Sequence, residues 1–285
     1  MGETVHIRRM RHADISFAAG CTAAEGWASE TGTEFEGFLN YDPGGCFIAE
    51  KEDERVGMCV ATGYGESAFV GELIVVQAWR GCGIGRRLLE HAIEYLHRQG
   101  AQHILLDGVR RAVPLYERVG FRKLACSLRF TARMEGQPHA AVHAMQHAHL
   151  HAVTVLDRAA FGADRAFFLE RRLHLYPELC KVLECDGEVV GFIMGRRGQN
   201  LISAGPWVMQ PGVERPERLL ESLAAEVPDL PIGIGVLETN TAAVQIIRSC
   251  GFVARSNPPW RMLLGRSGYL GASHQLYAVG SAAKG

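Results

Sequence analysis

The sequence predicts a mixed α/β fold built twice in tandem. Three observations carry that expectation. First, the opening half reads as strands in a meander followed by a strand–helix–strand–helix–strand tail, the layout of a mixed α/β sheet. Second, landmarks recur at a nearly fixed spacing. Val190-Gly191 repeats Val56-Gly57 at 134 residues, and Val208 and Gln210 follow an apolar run as Val75 and Gln77 do at 133. "IIRSCGF" repeats "LYERVGF", with Gly251 131 residues after Gly120, and three landmarks at one period argue for internal duplication. Third, a chain of 285 residues exceeds one average domain and suits two of about 140.

In chain order, Val5–Met10 reads as a short strand and Ala13–Thr31 as helix, or helix plus loop. Cys46–Glu50 and Arg55–Thr62 form a hairpin around the charged turn Lys51–Glu54. Phe69–Val76 is a third strand, rich in β-branched residues. Gly83–Gln99 carries apolar residues at 84, 88, 89, 92, 93 and 96, a helical stripe, and Gly100 closes it. His103–Leu106 is a strand, Arg111–Val119 a short helix and Phe121 onward a return strand. After Met134 the chain turns polar, with Gly136 and Pro138 as breakers, which sets the domains at 1–135 and 136–285.

Composition excludes several function classes. A net charge of −1 and a pI near 6.9 leave no basic field for nucleic acid. No apolar run approaches the ~20 residues that span a bilayer, and "MGETVHIRRM" lacks the apolar centre of a signal peptide. Eight cysteines without a C-x-x-C pair read as reduced thiols of a cytoplasmic protein. His139, His143, His147, His149 and His151 include i,i+4 pairs. Without a Cys or carboxylate at matching spacing they read as a solvated cluster, and no metal is expected.

The chemistry concentrates in "VVQAWRGCGIGRRLLEHAIEYL", Val75–Leu96. A helix N-terminus leaves about four N–H groups unpaired and carries roughly half a positive charge. A glycine-rich turn before it lets phosphate reach the backbone without meeting Cβ atoms. A P-loop would need Lys-Ser/Thr where Arg86-Arg87 stands. A dinucleotide fingerprint fits Gly81, Gly83 and Asp107 but meets Arg86 at its third glycine.

Arg80-x-x-Gly83-x-Gly85, after an apolar strand and before a long helix, resembles the acyl-coenzyme A loop of the GNAT acetyltransferase superfamily. "PLYERVGF", Pro114–Phe121, resembles its second signature. "FGADR", "WRMLLG" and "LYAVGSAAKG" in the second half are similar to the C-terminal domain of tandem-GNAT proteins. The resemblance implies two GNAT-like domains, each a mostly antiparallel twisted sheet flanked by helices. It implies acetyl-CoA as co-substrate, with pyrophosphate on the amides of Gly81, Cys82, Gly83, Ile84, Gly85 and Arg86 beside Arg80. Val75 and Val76, ending the preceding strand, would pair with the pantetheine arm and acyl carbonyl. Cys82 serves there as a small spacer.

Acetyl transfer to an amine needs a proton acceptor for the amine and a donor for the leaving thiolate. Tyr116 coincides with the family's tyrosine, and a phenol of ordinary pKa ~10 suits the donor. For the base, Glu72 is a carboxylate in an otherwise apolar strand, where partial burial raises its pKa. Alternation places it with Ile74 and Val76 on one face unless a bulge intervenes. Glu66 or a water relay remain alternatives. Val109 stands where the family often has Asn.

In the second half the loop positions become Val213, Pro216 and Arg218, and the tyrosine becomes Ile247, while Asn240 takes the family's Asn position. That half is expected to keep the fold without the site, shaping a substrate cleft or an interface. The function expected is N-acetyl transfer to a primary amine of a small molecule or peptide. A non-catalytic acyl-CoA sensor is the alternative. Neither nucleic acid nor membrane is an expected partner, and a homodimer is compatible with the sequence. Glu25, Glu30, Glu34 and Glu36 hint at a cationic acceptor.

Overall fold

The computed structural model describes residues 5–266, 271 and 273–285. The strands are β1 (His6–Arg9), β2 (Cys46–Lys51), β3 (Glu54–Tyr64), β4 (Ser67–Val75), β5 (His103–Gly108), β6 (Arg122–Ala132) and β7 (Val142–Ala144). They continue with β8 (Cys180–Cys185), β9 (Glu188–Arg197), β10 (Ile202–Met209), β11 (Ile232–Leu237), β12 (Val253–Ala254), β13 (Trp260–Leu264) and β14 (Leu276–Ala278). The helices are α1 (Ile15–Ala24), α2 (Gly32–Tyr41), α3 (Ile84–Arg98), α4 (Val113–Val119), α5 (Leu150–Phe161), α6 (Ala166–Leu175), α7 (Glu217–Ala224) and α8 (Thr241–Ser249). The expected mixed α/β architecture, mostly antiparallel and flanked by helices, is present.

Each half is a meander of antiparallel strands with one parallel pairing, β4 with β5 and β10 with β11. Helix α3 shows how sequence makes an element here. Ile84, Leu88, Leu89, Ala92 and Leu96 fall on one stripe and are buried against the first sheet, each larger side chain contributing about 1.5–3 kcal/mol. Gly83 starts the helix from a left-handed φ of 79°, and Gly100 at φ 93° ends it.

The two halves join in one sheet by exchanging strands. Its order is β1-β2-β3-β4-β5-β13-β6-β11-β10-β9-β8-β7, with β12 on β6 and β14 on β10. Strand β13, from the second half, lies between β5 and the start of β6. The later residues of β6, Ser127–Ala132, pair in turn with β11 of the second half. Alternating hydrophobicity marks both as strands but cannot say which sheet receives them.

Asp107 ties this exchange together. Its buried carboxylate accepts from Arg261 Nε of β13 at 2.5 Å, Arg129 Nη2 of β6 at 2.7 Å and Ser127 Oγ at 2.8 Å. Burial alone would raise this carboxyl, but the two guanidiniums outweigh it and hold it at about 2. Asp107→Ala is expected to lose about 3–5 kcal/mol in denaturant unfolding, because it strands buried cations. With a depressed folded pKa, the wild-type contribution is complete above the ordinary carboxylate range and lost as pH falls toward about 2.

Candidate active site

Strand β4 pairs with β3 over its length but with β5 only at Ser67–Phe69, opposite His103–Leu105. Beyond Phe69 the two strands part, and the β4 edge from Val70 to Val75 has no strand partner toward β5 among the described residues. A cleft of about 750 Å³ opens in that gap, within the size range of small-molecule sites. It runs from Gly81–Arg86 and Leu115 to Ser203, Ile234 and Val279–Ala283 of the second half.

At one end is the glycine turn. Gly81 and Gly83 have φ of 83° and 79°, and a Cβ placed on either would meet nothing within 4 Å. The space over the backbone is therefore open. The amides of residues 81–86 have no hydrogen-bond acceptor among the described residues, the first backbone bond of the turn being Arg87 N–H to Gly83 O at 3.2 Å. These donors sit at the positive end of α3, an arrangement suited to phosphate. Ile84 sends its side chain into the core, leaving only its amide to the cleft. Arg86 is exposed and reaches Glu90 Oε1 at 2.7 Å.

Two expected contributors are engaged elsewhere. Arg80 donates from Nε to Val75 O at 2.9 Å and pairs with Glu25, which also pairs with Arg111. It thus fastens the turn to β4 and the end of α1. Val76 spends its N–H on Val56 O at 2.9 Å, and its carbonyl accepts from Trp79, so its backbone groups are satisfied within the fold. Val75 lines the cleft, whereas Cys82 is exposed and holds only a 3.9 Å contact to Arg80 O.

Glu72 and Tyr116 both line this cleft. On β3, Met58 pairs with Ile74 and Val60 with Gly71, so Glu72 and Leu73 together oppose Cys59. This bulge interrupts the simple alternation, and Glu72 takes a left-handed φ of 51°. Its side chain is buried, with Oε2 lacking any hydrogen-bond partner. Burial, then the neighbouring Glu30, push its carboxyl well above the usual range, against Arg196 and Lys284. Glu66, by contrast, is exposed at the end where β4 and β5 remain paired, with Gln102 Nε2 3.3 Å away.

Tyr116 stands on α4 beneath the end of β5. A Cβ at Gly108 would come within 2.7 Å of its Cε2, so glycine there admits the ring. The phenol finds no hydrogen-bond partner among the described residues, and burial raises its pKa. It is protonated at neutral pH and oriented by packing alone.

The acidic residues of the first helices are all countered. Glu30 and Glu34 each lie 2.6 Å from Arg196, Glu34 also 2.6 Å from Lys284, and Glu36 3.6 Å from Arg171. These carboxylates are therefore paired with cations of the chain itself. His139 pairs with Glu221, while His149 and His143 approach Glu184 at 3.4 and 3.8 Å. The cluster is thus partly engaged rather than wholly solvated.

Comparison with known proteins bears on this geometry. A model described as "Acetyltransferase (GNAT) family" matches residues 11–121, and one described as "Acetyltransferase (GNAT) domain" matches residues 153–278. The chain belongs to the GNAT family, as a tandem of two such domains, and is an acyltransferase. An uncharacterized N-acetyltransferase of Bacillus subtilis (strain 168), YitH, is 25% identical over 69% of this chain and 70% of its own. A putative acetyltransferase from Pyrococcus horikoshii superposes at TM-score 0.83 with 24% identity, covering 100% of this chain and 97% of that one. A tandem GNAT protein of the clavulanic acid pathway superposes at 0.61 with 13% identity, covering 93% and 100%. The last two show likeness of fold.

Within the second GNAT domain the positions matching Arg80, Gly83 and Gly85 hold Val213, Pro216 and Arg218. Helix α7 begins after Pro216 with Glu217, which Arg215 meets at 3.1 Å, and Ile247 is core. Strands β10 and β11 also pair only at Ile202–Ala204 and Ile232–Ile234, but β14 fills the gap beyond. Sequence reasoning passed over Arg196 and Lys284, because a Lys or Arg in an ordinary stretch carries no sign that it is buried.

Proposed function

We propose that this tandem GNAT protein is an N-acetyltransferase using acetyl-CoA to acetylate a primary amine of a small molecule or peptide, with its active site in the first domain. Residues 1–135 would carry the chemistry, and 136–285 would be a degenerate copy that shapes the cleft. The observation that carries this reading is a buried carboxylate with a free oxygen, Glu72, and an unpartnered phenol, Tyr116, on one cleft beside an open amide cradle.

Acetyl-CoA, when bound, would supply the acyl thioester, with the amides of Gly81–Arg86 to hold its pyrophosphate and the β4–β5 gap to take its arm. The donor set fits an anion, being unpaired amides at a helix start with room above the glycines. Glu72 accepts the proton that the amine nitrogen loses as the C–N bond forms. Tyr116 donates its proton to the sulfur as the C–S bond breaks. Return of the proton from Glu72 to Tyr116 through solvent leaves an amide and a free thiol. Eight free cysteines support a reducing, cytoplasmic setting.

Thiol release assayed against a panel of primary amines tests the reading, with turnover expected on at least one. Tight acetyl-CoA binding without turnover on any amine would favour a sensor. Tyr116→Phe is expected to lower kcat about 100-fold with the KM for acetyl-CoA within about twofold. Calorimetry should find one coenzyme A per chain, and two would overturn the degenerate second domain.

A further inference from the structure

The segment that ends the described chain joins the two domains' strand gaps. In the second domain β14 lies where β10 and β11 part, pairing Trp207 with Ala278 and Val208 with Leu276. Val279 N–H donates to Gly235 O at 2.8 Å, and Met209 N–H to Gln275 O at 2.9 Å. Asn240 pins the same stretch, its Nδ2 donating to His274 O at 2.9 Å and Leu276 O at 3.0 Å. The chain thus occupies its own second gap, the counterpart of the gap left open in the first domain.

From there residues 280–285 cross into the first domain. Tyr64 donates to Lys284 O at 2.9 Å, and Arg165 Nη1 to Gly285 O at 2.7 Å. Ala283 lies so close to β4 that a Cβ on Gly71 would come within 2.5 Å of its Cα. Gly71 directly precedes the Glu72 bulge. Lys284 is buried, its ammonium 2.6 Å from Glu34 and 4.6 and 4.7 Å from the rings of Phe38 and Phe168.

The charges around Glu72 can then be followed element by element. The loop after α1 and helix α2 bring Glu30 and Glu34, β9 brings Arg196, β3 brings the buried Cys59 thiol, and the crossing segment brings Lys284. Arg196 bridges Glu30 and Glu34 at 2.6 Å each, and Lys284 adds a second cation to Glu34. Arg172 of α6 is a third buried cation near Glu34, but its guanidinium donates to the carbonyls of Gly205 and Gly280. Of the three carboxylates, Glu72 alone therefore has no ion pair among the described residues.

We propose that Lys284, delivered to the first domain by a segment anchored in the second, is a positioning residue for Glu72: it engages Glu34 and leaves Glu72 the carboxylate free to exchange a proton in the cleft. This rests on the reading of Glu72 as base only for its catalytic consequence. It also gives the second domain a role in the first domain's site without a coenzyme A of its own.

Carbon-13 NMR of the full chain labelled at glutamate carboxyls tests this without turnover, the Glu72 signal being assigned by its loss in Glu72→Gln. In Lys284→Met the Glu72 midpoint should rise by about one pH unit, the scale of losing a nearby opposite charge. Lys284→Arg should restore it, and Glu34→Gln should move it downward. Shifts of opposite sign cannot come from general loosening, and Glu34→Gln keeps the test intact if Lys284→Met fails to fold. An unmoved midpoint, or movement in one direction in all variants, overturns the proposal. The acid limb of thiol release, followed on the best amine of the panel, separates the two readings. If the midpoint moves and the limb does not, Lys284 keeps its role and Glu72 ceases to be the base.

Discussion

Replacing Glu72 by Gln is expected to lower kcat/KM for the amine about 10²–10⁴-fold, the usual span for removing a general base. The pH profile should change with it. As the proposed base, Glu72 would work only when ionised, and burial with neighbouring Glu30 raises its pKa. Activity should therefore climb with pH through that raised value, and the climb should vanish in the variant. Stability should move the other way. A carboxyl raised in the folded state costs nothing below its unfolded pKa, near 4.3. Above that, the cost to folding grows with pH and reaches its full size, which then persists, once pH passes the raised value. Glu72→Gln should thus gain stability over wild type as pH rises from about 4 toward neutrality, read as a widening Tm difference between the two proteins. Equal pH profiles for activity in both would remove Glu72 from the mechanism.

Gly83→Val should weaken acetyl-CoA binding about 100-fold by calorimetry. One or two charge-assisted hydrogen bonds, each worth about 1.5–3 kcal/mol, cover that loss. Two effects combine at this position. The left-handed φ of 79° disfavours any side chain with a Cβ, by roughly 1–2 kcal/mol and more when β-branched. The side chain would also fill the open space over the amides. Gly85 offers a contrast, because a Cβ there would meet Val75 and Leu115 at 3.5 and 3.6 Å, ordinary contact distances. Gly85→Ala should therefore lose far less stability than Gly83→Val. Affinity unchanged in Gly83→Val would place the phosphate elsewhere.

Much of this site is legible in the chain, for reasons that differ by residue. The glycine turn can be read because positive φ and bare backbone leave only glycine, and because the apolar stripe from Ile84 marks the helix that the turn opens. Tyr116 can be read from its fixed distance to Gly120, where a left-handed break at φ 105° ends α4. Arg80 belongs to the turn by its spacing, yet its guanidinium fastens the turn through Val75 O and Glu25 rather than standing open. Spacing locates a residue on an element but not the partner across space.

Sequence by itself determined the local elements, the duplication and the position of the glycine turn at the start of α3, since each follows from backbone conformation and short-range periodicity. Tertiary structure alone decided which strands are exchanged at Asp107, that β14 closes the second gap, and that Glu30 and Glu34 are neutralised by Arg196 and Lys284. Those outcomes depend on contacts between residues far apart in the chain, many by more than a hundred positions. Burial there sets charge and proton affinity, and no local pattern records it.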